Sequence, residues 1–123
     1  MSIEAIGRRV DDLARELSAV SDYVHANPEL GHQEFKAQAR LVEEFERQGF
    51  VVEKGVGGFE TAFKATLPTM NEGPTVAFLA EYDALPNIGN AIVPEKAPRE
   101  DSHPHGQGCG HNVFGAGSVA AAI

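Results

Sequence analysis

One cysteine in 123 residues leaves no partner for an internal disulfide, so covalent stapling is excluded as a source of stability. No run approaches the ~20 consecutive apolar residues that a bilayer-spanning helix needs. Positive charge is scarce as well: 10 Lys and Arg stand against 18 Asp and Glu, a formal net charge of -8. A field of that sign repels phosphate backbones and anionic headgroups, and no basic stripe offsets it, so neither nucleic acid nor membrane is an expected partner. Near the start, Glu4, Arg8 and Arg9 fall into a helical pattern, and Val10, Asp11 and Asp12 follow with no apolar stretch, so no export signal is visible. The cytoplasm is therefore the expected location. Internal repeats and low-complexity tracts are absent too. What remains is an ordinary globular composition, in a length that permits one domain with a single modest core.

The chain opens with Ile3, Ile6, Val10, Leu13, Leu17, Val20 and Val24, the three-and-four spacing of a stripe along one face of a long helix. Asn27-Pro28 ends it, because the proline ring excludes the α region for the residue before it. A second helix is expected from about Glu34 through Leu41, Val42 and Phe45 to Gln48, with Gly49 supplying the left-handed residue that closes it. The period then changes. Phe50 to Val52 and Thr61 to Leu67 read as short strands, and Thr75-Val-Ala-Phe-Leu-Ala80 as a strand buried on both faces. Such a strand would deliver Glu81 and Asp83 at its C-terminal end, where open α/β sheets place their ligands. The segment from Asn87 to Gly108 has no period and carries Pro94, Pro98, Pro104, Asp101, His103 and His105; a loop of that length is functional or mobile in most domains. From Asn112 the small apolar sequence to Ile123 reads as a helix packed closely on a sheet, with no stop signal, as though the chain ended inside an element.

Three clusters could carry chemistry. In Gly108-Cys-Gly-His-Asn112, a thiol and an imidazole two positions apart, with glycine on both sides of the cysteine, can bend toward one zinc-class ion. A helix opening at Asn112 would set its positive end beside the sulfur and favour the thiolate. The plain alternative is a cysteine acting as a small hydrophobe, since the pair supplies only two of the ~4 ligands zinc takes. In Glu81-Tyr-Asp-Ala-Leu-Pro86 the acids either cap a turn, or Asp83 accepts a hydrogen bond from a metal-bound histidine and fixes its tautomer. His25-Ala-Asn-Pro-Glu-Leu-Gly31 is by itself a helix-ending turn. His103 and His105 read as solvated loop residues, with adventitious metal binding as the alternative.

Taken in order, from about Val24 to the end, these three clusters resemble the signatures of the aminoacylase and aminobenzoyl-glutamate hydrolase type of dinuclear metallopeptidase. The resemblance implies an α/β fold, the N-terminal part of a three-layer α/β/α zinc-exopeptidase-like catalytic domain, with the lid domain absent. It also implies that residues 1–123 are one piece of that domain. Cys109 would be a metal ligand, bridging two ions, His111 would bind one of them, and Asp83 would stand behind as support. Two divalent ions, zinc, manganese, nickel or cobalt, ~3.5–4 Å apart would lower the pKa of a bridging water and polarise the scissile carbonyl. A carboxylate base would carry the proton to the leaving amine. The substrate would be a small-molecule amide: an N-acyl amino acid, aminobenzoyl-glutamate or a dipeptide. The full-length protein would be a homodimer.

The chain also departs from that pattern. Sister peptidases have a metal-binding His where Glu81 stands, many relatives have Asp in place of Asn112, and the loop before Cys109 is longer than in many. The base and the remaining ligands lie outside this sequence, so the 123 residues alone are expected to be inactive and to bind metal weakly. Two rivals stand beside the enzyme: a non-catalytic metal-binding or interaction module of the same fold, and a hydrolase with Cys109 as nucleophile and His111 as base.

Overall fold

The stripe of three-and-four spacing folds as α1, Ile3–Ala26, in a computed structural model that describes residues 2–69 and 72–123. Ser2 caps it by accepting from the Ala5 backbone N–H at 3.3 Å. Leu13, Leu17, Val20 and Val24 are buried, whereas Ile6 and Val10 are 49% and 44% exposed, so the first turns of the stripe run past the core. The helix stops at Asn27, whose side-chain amide donates to the Tyr23 carbonyl at 2.9 Å. Next comes α2, Phe35–Arg47, and Gly49 takes the left-handed conformation (φ 86) expected of it.

The cap of α2 comes from an unexpected place. Glu34, at the N-cap position, makes no side-chain cap bond. Instead the Glu29 carboxylate accepts from the Lys36 N–H at 3.1 and 2.9 Å and from the Ala37 N–H at 3.0 Å. It thereby satisfies two orphan donors at the positive end of the helix.

Leu13, Leu17 and Val20 of α1, Leu41 of α2, and Ala116 and Val119 of α3 (His111–Ala122) form one core, flanked by Phe45, Phe63 and Tyr82. Each large apolar side chain buried there contributes about 1.5–3 kcal/mol. The two short strands are Val51–Lys54 (β1) and Phe63–Thr66 (β2), paired antiparallel in the register Val51↔Thr66 to Lys54↔Phe63. Between them lies a single turn of 3-10 helix, Val56–Gly58. Helices with a two-stranded sheet agree with a mixed α/β class.

One expectation is corrected. Among the described residues Thr75 to Ala80 pairs with no strand and is none itself; it lies on the surface, with Val76 72%, Phe78 51% and Leu79 84% exposed. An apolar run takes up strand structure only where neighbouring strands meet its backbone donors and acceptors, and the described residues provide none for it. Accordingly, among the described residues, α3 has no sheet as its main support. It packs chiefly on α1, and its Gly115 faces the 81–82 backbone, where an added Cβ would meet the Glu81 carbonyl at 3.5 Å and the Leu41 side chain at 3.7 Å. Among the described residues, no helix is long and apolar enough to cross a membrane.

Candidate metal centre

Two isolated bridges bring the three sequence motifs together. Leu30 pairs with Ala84 in parallel, with the Ala84 N–H donating to the Glu29 carbonyl at 2.7 Å, and Leu85 pairs with Gly106 antiparallel at 2.9 and 3.1 Å. The second motif is thus clasped between the first and the residues that lead into the third. Tyr82 turns into the core, against Phe63 (ring centroids 5.9 Å), and its hydroxyl donates to the Thr61 carbonyl. Alternation along an extended segment then turns Glu81 and Asp83 the other way, where His111 meets both.

The His111 ring is held from two sides. Nδ1 lies 2.7 Å from Asp83 Oδ1, and Nε2 lies 3.1 Å from Glu81 Oε2. Ligand-type atoms of Glu81, Asp83 and His111 all fall within 4.8 Å of one another. Asp83 and His111 are partly buried and Glu81 is exposed, so the group opens to solvent on the Glu81 side. Two carboxylates and an imidazole are donors of the kind that a divalent cation of the zinc class takes, and the Asp83 contact at Nδ1 orients the ring. Cys109 is exposed and stands outside the three-residue group, and no hydrogen bond joins it to His111. Both ring nitrogens face carboxylates rather than the Cys109 thiol.

Helix α3 begins at His111, one residue earlier than the sequence suggests, with Gly110 left-handed (φ 77) at its cap. Its first turn is fastened by two contacts with no sequence signal: the Gln107 side-chain carbonyl accepts from the Asn112 N–H at 3.2 Å, and the Asn112 amide donates to Ser21 Oγ at 3.0 Å. Asn112 is therefore a buried tie between α1 and α3, outside the metal-type group.

The irregular segment from Asn87 to Gly108 is pinned despite its lack of period. Arg99 donates to the Ala26 carbonyl at the end of α1 at 3.1 Å and forms an ion pair with Asp101 at 2.8 Å. That pair and the His103 N–H hold the Asp101 carboxyl far below the usual carboxylate range. Asn90 closes an inner turn by accepting from the Ala97 N–H at 2.8 Å and donating to the Glu95 carbonyl at 2.9 Å. His103 and His105 face each other edge to face, 5.3 Å between centroids, apart from the three-residue group.

No protein-family model matches the chain. Individual proteins do. It is 35% identical to one of the subunits of the p-aminobenzoyl-glutamate hydrolase of Escherichia coli, over 99% of this chain and 24% of that protein. It is 35% identical to mouse Xaa-Arg dipeptidase over 94% of this chain and 25% of that protein. Thermostable carboxypeptidase 2 of Saccharolobus solfataricus is 32% identical over 63% of this chain and 21% of its own length. The chain thus spans about a quarter of the length of the curated relatives it matches. Similarity to hydrolases of amide and peptide bonds runs through nearly all of it, and the motifs that carry the resemblance converge in space; the chain belongs to the aminoacylase and aminobenzoyl-glutamate hydrolase type of amidohydrolases and peptidases.

Proposed function

We propose that the full-length protein hydrolyses the amide bond of an N-acyl amino acid, an aminobenzoyl-glutamate or a dipeptide-like substrate with the help of bound divalent metal. The observation that carries this reading is the Asp83–His111 pair. A carboxylate 2.7 Å from Nδ1 orients the ring and turns Nε2 toward the open Glu81 side, where a cation would enter. In this reading His111 and Cys109 hold metal, and Asp83 is a positioning residue behind the ring. Bound divalent ions would supply an activated water and a polarised carbonyl. The chain's own residues build the place for them: Tyr82 anchors the 81–83 segment, the Leu85–Gly106 bridge fixes the approach of the third motif, and Gln107 secures the first turn of α3. The three-layer α/β/α domain belongs to this proposal too.

The test is release of free amine from acyl-amino acids, p-aminobenzoyl-glutamate and dipeptides by the full-length protein. A chelator is expected to abolish the activity and a divalent metal to restore it. Cys109→Ala and His111→Ala are expected to lower kcat/KM by at least about a hundredfold, the loss that follows removal of ~3 kcal/mol of transition-state stabilisation. Turnover indifferent to chelation, or unchanged in both variants, rules the proposal out. For residues 1–123 alone, a metal-binding module without catalysis is the better description, because the described residues gather just three ligand-type side chains.

A further inference from the structure

We propose that the Glu81 carboxylate is itself a ligand of the cation that His111 holds, on the opposite side of the ring from Asp83; this rests on the metal reading above. A carboxylate can only accept, so the 2.7 Å contact of Asp83 Oδ1 places a proton on Nδ1. Nε2 is the other nitrogen of the ring, and Glu81 Oε2 stands 3.1 Å in front of it. Ligand-type atoms of Glu81, Asp83 and His111 all lie within 4.8 Å of one another. Nitrogen and oxygen ligands at about 2.0–2.2 Å from one cation stand roughly 3.0–3.5 Å apart, so Nε2 and Glu81 Oε2 are spaced as two ligands of one ion would be.

The support of Glu81 agrees with that role. Its side chain is 64% exposed, and among the described residues its only ion-pairing partner is His111. Among the described residues no hydrogen bond or second ion pair turns the carboxylate to the ring. Its backbone, in contrast, is fixed: Tyr82 is rooted in the core next to it, Gly115 of α3 lies against its carbonyl, and the Ser118 hydroxyl donates to the Leu79 carbonyl at 3.0 Å. The carboxylate is thus presented from a rigid base on the solvent side of a partly buried imidazole, where a cation can enter. An imidazole nitrogen with a carboxylate oxygen suits zinc, cobalt or manganese.

The experiment is a cobalt(II) titration of the metal-free protein, read by its visible absorption bands and by the near-ultraviolet thiolate-to-metal band. Glu81→Gln keeps the shape of the side chain and removes its charge. It is expected to weaken cobalt binding by at least about tenfold and to move the visible bands, with Glu81→Asp recovering part of the affinity. The thiolate band should persist in both. Equal affinity and an unchanged spectrum in Glu81→Gln, with binding lost in His111→Ala and Cys109→Ala, overturns the Glu81 assignment and leaves the metal reading standing. Binding unaffected in His111→Ala and Cys109→Ala, or no binding by the unaltered protein, overturns both.

Discussion

His111 depends on what stands behind it. Asp83 is 2.7 Å from Nδ1, and a partner in that position typically changes metal affinity by about 10–100-fold. Asp83→Asn should therefore weaken metal binding by about tenfold while leaving the thermal midpoint nearly unchanged, in calorimetric titration beside a melting curve. An affinity equal to that of the unaltered protein would mean that the ring is oriented by its backbone alone. Tyr82 makes a prediction about pH. Burial, and then the negative charge of Glu34, push its hydroxyl from 10.0 up to about 12. Because the folded value is the higher one, the stabilisation is complete below pH 10 and is lost as the pH rises from there through about 12. Urea midpoints measured from pH 9 upward should fall for the natural sequence and fall less steeply for Tyr82→Phe. Parallel curves for the two proteins would show that another group governs the alkaline loss.

Glycines separate the strong constraints in the long segment from the weak ones. A Cβ on Gly89 would sit 2.2 Å from the His103 carbonyl oxygen, a backbone atom, whereas one on Gly108 would meet the Cδ1 of Ile88 at 2.4 Å, the tip of a side chain that can turn away. Gly89→Ala should therefore loosen the segment, with faster amide exchange from Asn87 to Gly106 and a loss of about 1–3 kcal/mol, while Gly108→Ala should cost less than about 1 kcal/mol. Similar losses in denaturant titrations would indicate that the two crossings are equally rigid. The same scale shows what the sequence could disclose. Both long helices are legible, because their apolar spacing and their stop signals at Pro28 and Gly49 are local. Asp83 and His111 are legible as a candidate pair because their side-chain chemistry narrows their roles. The Glu29 cap, the Gln107 cap and the Ser21–Asn112 tie are not, since each partner comes from outside the local pattern, across five to 91 positions. Thr75 to Ala80 misleads for the opposite reason: its composition is that of a strand, but strand formation belongs to the pairing and not to the segment.

At the scale of the molecule, two surface properties oppose each other. The chain carries a formal charge of -8, which keeps copies apart, and it exposes Val76, Phe78 and Leu79 along one short segment, which draws them together. The backbone there, outside the β1–β2 sheet, also offers donors and acceptors that a second strand could pair with. Charge repulsion between copies is screened over a Debye length of about 10 Å at 0.1 M salt and about 3 Å at 1 M, while apolar attraction is not weakened by salt. Residues 1–123 produced alone should therefore be largely monomeric at low ionic strength and associate as salt is raised, the reverse of an assembly held by ion pairs. Leu79→Lys places a charge at the most exposed apolar position of the segment and should suppress the association at every salt concentration, as read by sedimentation velocity. If the chain stays monomeric at 1 M salt, or if Leu79→Lys associates as readily as the natural sequence, the bare segment is not what joins the copies.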